Sequence, residues 1–262
     1  MRTDVARLDL TGRRRSLIGY SAGMAIYTLI VVALYPAFQH STSIDQLIKS
    51  DAAAAALFGV SGPISTTGGW LNANLYANFL PLVLLLMAVG YGAAAVAGQD
   101  QDGTLCLLAT LPLRRSTIVT QKAATMVAQT VVVAIVVAAF VMVGRSFHLD
   151  VHLSAVAGVS LTSALMAIDF GLLALVVGCW TGRRGTAIGV AAAVAAASYL
   201  ISSLAPVVSW LHPARFASLF YWSVSNNQAT AGASAADLGV LVGTATFLLA
   251  VAIVRFDRLD LS

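Results

Sequence analysis

The sequence predicts an all-α integral membrane protein with six transmembrane helices, and three observations carry that prediction. Hydrophobic residues make up 59% of the 262 residues and charged residues only 10%, against about 25% charged in a soluble domain. Mean hydropathy is +0.86. Apolar runs of bilayer length, about 20 residues in a helix, recur near residues 17–38, 75–98, 123–144, 155–180, 186–210 and 238–254. A helix satisfies every backbone polar group along such a run without water. Residues 1–262 are therefore expected to form a single transmembrane domain.

Lysine and arginine collect on the cytoplasmic side of membrane proteins. Here Arg2, Arg7, Arg13, Arg14, Arg15, Arg114, Arg115, Lys122, Arg183, Arg184, Arg255 and Arg258 fall on one side of the runs, against Lys49, Arg145 and Arg215 on the other. Both termini are expected in the cytoplasm. The net charge of +4 reflects this asymmetry and gives no reason to invoke nucleic acid as a partner.

In chain order, Arg13-Arg14-Arg15 precede an apolar run that lacks a small-residue cleavage pattern, so the run is read as a retained anchor rather than a signal peptide. Residues 3–16 are predicted as an amphipathic elbow helix, with Val5, Ala6 and Leu8 toward lipid and the arginines toward anionic headgroups. Gly19 and Gly23 in the first span have the GxxxG spacing that lets helix backbones approach, either within the chain or across a dimer. The external segment that follows contains Ala52 to Val60, too short to cross and expected to lie at the interface. The second span opens on Asn72, Asn74 and Asn78 near Trp70 and Tyr76, with Pro81 interrupting the early hydrogen bonds. These amides mark either the mouth of a substrate cavity or ordinary interfacial anchoring with interhelical hydrogen bonds.

From Gln99 to Lys122 the chain carries acidic and basic side chains between two apolar runs, and is expected in water or against another protein. Within it Leu105, Leu108 and Leu111 recur at helical spacing, which predicts a small cytoplasmic surface helix. The third span contains Gln129 and otherwise reads as a packing helix. Its outer loop holds His148, Asp150 and His152 without a fourth ligand, so a solvated turn is expected and no metal site. Cys106 and Cys179 fall near the cytoplasmic face, where thiols stay reduced.

Asp169 is the one ionisable residue well inside a span. Its insertion costs roughly 3 kcal/mol, so it should face protein or water. It is either a site for proton or cation coupling or a hydrogen-bonded packing residue. The alanine-rich fifth span places Gly185 and Gly189 four apart, with Ser198, Ser202 and Ser203 as small polar points and Pro206 near its outer end; such residues suit helix association, including across a dimer. The aromatic segment from His212 to Trp222 is too short to cross. It is predicted to dip into the outer interface as a re-entrant piece and return through Asn226 and Asn227 to the sixth span.

Enzyme chemistry finds little support. There is no Gly-rich Lys-Ser/Thr phosphate loop, glutamate is absent, the four histidines lie outside the membrane, and only Asp169 is available to an intramembrane protease. Catalysis by this chain alone is not expected.

Gly103-Thr104-Leu105, Leu107-Leu108, Leu111-Pro112 and Arg114-Arg115, with Lys122 opening the next helix, resemble the loop after the second span in ABC-2 type transporter permeases, the drug-exporter class of ABC membrane subunits. The likeness extends over the elbow, the six spans and the re-entrant segment. Gln99, Asp100, Gln101 and Asp102 stand where that family usually carries glutamates. The resemblance implies a half-transporter: two such permeases, identical or sister chains, on two separately encoded subunits that bind ATP and Mg. The helix at Gly103 to Thr110 would be the coupling helix that docks on them, with contacts from Asp100, Asp102, Gly103, Thr104, Leu105, Leu108, Pro112, Arg114 and Arg115. A cavity between the permeases, lined by the first, second and fifth spans and including Asn72, Asn74, Asn78, Ser198 and Ser202, would be mostly small and apolar. That suits export of an amphipathic or lipophilic drug, antibiotic or lipid-like compound across a bacterial cell membrane. Two other classes stay open: an ion-coupled secondary transporter using Asp169, which would show inverted repeats that are not visible here, and a non-transporting assembly or sensor subunit.

Overall fold

The computed structural model describes residues 4–38, 66–101, 115–147, 149, 151–225, 228 and 232–257. These residues are helical almost throughout, with no strand among them, and six helices are long and apolar enough to cross a membrane. They are α1 (Asp4–Phe38), α2 (Thr67–Gly98), α3 (Arg115–Val143), α4 (Leu153–Thr181), α5 (Arg184–Leu204) and α6 (Ala235–Asp257). The molecule is a multi-pass membrane protein.

The bundle is built on α4. Its most apolar window is 83% buried, against 28% for α1 and 17% for α6. Two glycines make this possible. A Cβ on Gly92 of α2 would run into the Gly171 carbonyl, and a Cβ on Gly171 would lie 2.6 Å from the Met126 sulfur of α3 and 2.9 Å from the Ala88 carbonyl oxygen. Helices α2, α3 and α4 therefore meet at backbone distance, which in lipid is how dispersion and weak polar contacts hold helices together. Gly171→Leu is expected to force them apart at a cost of at least about 1–3 kcal/mol. Size-exclusion and thermal melting in detergent measure it; a variant that elutes and melts like the parent would refute the close packing.

Short connections fix the neighbours of α4. Gly182, with φ of 61°, closes α4 in the left-handed conformation that L-residues with a Cβ avoid. After Arg183 the chain re-enters a helix as α5. Before α6, the Ser234 Oγ accepts from the Asp237 N–H at 3.1 Å, and the Asp237 carboxylate accepts from the Ser234 N–H at 2.9 Å. This reciprocal capping satisfies two donors at the start of the helix.

Helix limits differ from the hydropathy limits where polar residues continue a helix beyond its apolar window. Thr66 caps α2, accepting from the Gly69 N–H at 3.2 Å, so the helix begins before Leu75. A π turn at Asn72–Tyr76 and a turn at Ala77 and Asn78 follow, placing Pro81 in the first turn of the regular part, Phe79–Ala93. There its missing N–H leaves no intrahelical bond unmade. At the far end of the fifth span the α-helix stops at Leu204, short of Trp210, and Ser209–Ala217 winds as a 3₁₀ segment after Pro206. The N-terminal segment expected as an elbow is helical without interruption into the first span. The side chains of Val5, Ala6 and Leu8, and the segment Ala52 to Val60, lie outside the described residues.

One expectation is overturned. Lys122, expected in water at the end of the central stretch, is 1% exposed and lies inside α3, which begins at Arg115. Neutralisation by an acidic residue of α1, described below, is what lets an ammonium occupy that position.

The segment expected to be re-entrant folds back along α4. Trp210 stays 76% exposed at its start, while Phe220 reaches the middle of α4, 6.1 Å from Phe170 between ring centroids, and meets Tyr199 of α5 edge-on. The Thr162 hydroxyl donates to the Ser223 carbonyl at 2.7 Å, taking up a backbone acceptor that lipid would leave bare. Asn226 and Asn227 lie outside the described residues.

Candidate functional site

Asp102, Gly103, Thr104, Leu105, Leu108, Pro112 and Arg114 lie outside the described residues, as do Cys106 and the side chains of Asp100 and Arg115. What the fold does place is the platform from which this stretch leaves and to which it returns. One end of each of α1, α2, α3 and α5, the end that carries most of the chain's arginines, converges on a polar pocket of about 290 Å³ lined by Asp9, Arg13, Tyr91, Gln99, Lys122 and Arg184. The Tyr91 hydroxyl donates to the Asp9 carboxylate at 2.7 Å, and the Lys122 ammonium stands 3.7 Å from the same oxygen. The Arg13 guanidinium lies 4.6 Å from the centroid of the Tyr91 ring, a cation–π distance. Among the described residues Asp9 and Lys122 form an ion pair, whereas neither Arg13 nor Arg184 has a carboxylate partner.

At the opposite end of the bundle, aromatic and amide groups tie α2 to its neighbours. Tyr27 of α1 donates to the Asn74 carbonyl at 2.8 Å and stacks on Phe79 with centroids 3.7 Å apart. The Trp70 indole donates to the Val31 carbonyl at 2.9 Å. Asn72 is buried, the Asn74 amide donates to the Trp70 carbonyl at 3.0 Å, and the Asn78 amide oxygen accepts from Tyr199 of α5 at 2.9 Å. Ser198 is 2.9 Å from the Ser218 hydroxyl of the re-entrant segment, and Ser202 is buried nearby on α5. The structure thus brings the Asn78 and Ser198 side chains into bonds between elements, whereas the Asn74 side chain bonds within its own helix and its backbone carbonyl takes the bond from α1.

Asp169 is fully buried, and neither carboxyl oxygen has a hydrogen-bond partner among the described residues. By helical spacing it stands on the stripe of α4 that runs from Gly158 through Thr162 and Val176 to Cys179. Gly158 backs onto Gly232 and Ala233 before α6, and Arg255 near the end of α6 lies within electrostatic reach of Cys179. Burying a carboxyl without protein partners is costly, so Asp169→Leu is expected to raise the melting temperature of the purified protein. A lower melting temperature would show that the carboxyl is held by a stabilising partner.

Gly19, Gly23, Gly185 and Gly189 behave unlike Gly92 and Gly171. A Cβ added at any of the four would meet no atom within 4 Å among the described residues. With the fold and these sites in view, the family model described as ABC-2 family transporter protein matches residues 3–261.

The chain belongs to the ABC-2 transporter family. It is a membrane subunit of an ABC transporter, a kind of permease that works with ATP-binding subunits. Among curated proteins none matches the chain significantly.

In this ABC-2 permease two of the residues that line the polar pocket, Asp9 and Tyr91, are ones that sequence reasoning did not single out. Asp9 sits one turn before the triple arginine, and Tyr91 sits in the inner half of an apolar run; neither position announces a partner. The available signal was Lys122 itself, a cation at the edge of a long apolar run that needs a counter-charge if the helix extends past it. The partner, 113 positions earlier in the chain, is supplied only by the packing of α1 against α3.

Proposed function

We propose that this ABC-2 permease is one half of an ATP-driven exporter. Two permeases, two copies of this chain or this chain with a sister, stand on two ATP-binding subunits that hold ATP and Mg. The stretch from Asp100 to Arg115 carries the coupling helix that transmits their closure, and a translocation path for an amphipathic or lipophilic compound runs between the permeases, bordered by α1, α2 and α5. The protein sits in a bacterial plasma membrane with both termini in the cytoplasm, the side on which its cationic loops fall.

The observation that carries this reading is the family match over residues 3–261. Two features of the molecule support its finer parts. The ends of the coupling stretch emerge beside one another, Gln99 and Lys122 lining a single pocket. The glycine faces of α1 and α5 meet no other described residue within 4 Å of an added Cβ, as a second permease would require for close helix approach.

Purification of the tagged chain from its native membrane in mild detergent tests the proposal. The expected result is an ATP-binding subunit in equal amount and ATP hydrolysis that amphipathic compounds stimulate. A chain that emerges alone and without ATPase activity, under conditions that preserve other complexes, overturns it. It would turn attention to Asp169 and ion coupling.

A further inference from the structure

The inner platform carries more positive charge than its own contacts use. Asp9 is occupied by the Tyr91 hydroxyl at 2.7 Å and the Lys122 ammonium at 3.7 Å, all three at the pocket wall. That leaves the Arg13 and Arg184 guanidiniums facing the same cavity of about 290 Å³ with no carboxylate to meet them among the described residues. The two come from different helices, so the cavity presents a fork from each of two walls. Arg184 is also the first residue of α5, a 21-residue helix whose N-cap, Arg183, supplies no side-chain hydrogen bond. The unpaired N–H groups of that first turn add to the positive field at the mouth.

We propose that this pocket binds a phosphate group, held between Arg13 and Arg184. Guanidinium forks match phosphate oxygens in pairs, and basic pockets between helices at the cytoplasmic face take anionic headgroups. A carboxylate holds both oxygens in one plane, whereas the tetrahedrally arranged oxygens of a phosphate group let forks from two walls each meet a separate edge. The phosphate has two sources: the headgroup of an anionic phospholipid in the bordering leaflet, or a free phosphate in the cytoplasm. Occupancy cross-links the inner ends of α1 and α5 beside the root of the coupling stretch. This inference stands on the fold and does not require the exporter reading; a failed pull-down of ATP-binding subunits would leave it standing.

The test is retention of ligand on the purified permease by native mass spectrometry. The protein, with whatever subunits accompany it, is exposed in turn to phosphatidylglycerol, to phosphatidylcholine and to inorganic phosphate. One phosphatidylglycerol per permease is expected to remain at energies that strip phosphatidylcholine, whose choline cation is repelled by both arginines. Arg13→Gln and Arg184→Gln are each expected to weaken retention about tenfold, whereas Arg145→Gln, at the far end of α3, leaves it unchanged. Displacement of the lipid by millimolar inorganic phosphate would assign the site to free phosphate; its failure to displace would assign it to the lipid. Equal retention of phosphatidylglycerol and phosphatidylcholine with no binding of inorganic phosphate overturns the proposal. So does retention unaffected by Arg184→Gln. Because Arg184 is exposed at a helix start, that variant folds and keeps the test decisive even if Arg13→Gln does not.

Discussion

Gly103→Pro, or deletion of Thr104 to Leu108, is expected to abolish association with the ATP-binding subunits while the permease still inserts and melts as before. The stretch is charged between two apolar runs, and its Leu105, Leu108 and Leu111 form one apolar face at helical spacing. Proline at 103 fixes its own φ and disfavours helical geometry at Asp102, so the entry into the stretch that would carry the coupling helix is redirected. The deletion removes two of the three leucines. A loss of at least a hundredfold in affinity, roughly 3 kcal/mol, should leave no ATP-binding subunit on the tagged chain after washing. Insertion should survive because the anchoring helices on either side are untouched: Met126 of α3 and Ala88 of α2 pack on Gly171 well inside the bundle. Undiminished co-purification with both variants would remove the coupling role from this stretch.

The second large effect is expected at the buried ion pair. Asp9→Ala leaves the Lys122 ammonium, 1% exposed, without its counter-charge and leaves the Tyr91 hydroxyl without its acceptor. Breaking a fully buried pair from one side costs about 3–5 kcal/mol, and with Asp9 itself 23% exposed the cost here falls at or below the lower end of that range. Thermal melting in detergent should therefore fall steeply for Asp9→Ala and for Asp9→Asn. Removing both charges in Asp9→Asn with Lys122→Met should recover much of the loss, since an uncharged pair does not carry the desolvation penalty of two ions. Single and double variants that melt alike would mean that the pair is not coupled. Tyr91→Phe isolates the remaining bond and should cost about 1.5–3 kcal/mol, the range for a hydrogen bond to a charged group.

Much of this architecture was legible from composition and periodicity. Six apolar runs of bilayer length appear as six helices because a chain in lipid has few alternatives for its backbone polar groups. The re-entrant segment was legible too, from aromatic residues in a run too short to cross. Helix limits were less so. Hydropathy locates the part of a helix that lies in hydrocarbon, and α2 and α3 begin earlier, at Thr67 and Arg115, because a cap and a buried ion pair extend them through polar residues. The glycines divided in a way that spacing could not foresee. Gly19 and Gly23 have the motif and approach no other described residue, whereas Gly92 and Gly171 sit in no such motif with each other and hold the centre of the bundle.

Local features of the sequence are enough for the solvent of this protein, the number of its long apolar helices and the stretch that resembles a coupling loop. Each of those depends on local properties: the apolar length of a run, the charge of a loop, the residues within a few turns of one another. Only the tertiary structure decided that Lys122 is inside the protein, that Asp9 and Tyr91 hold it there, that Arg13 and Arg184 face one cavity, and that Asp169 is enclosed on the face of α4 that runs toward α6. Those facts depend on which helices are neighbours. In a membrane many arrangements of six apolar helices bury similar area, so neighbour choice rests on a few close backbone approaches and polar bonds between residues far apart in the chain.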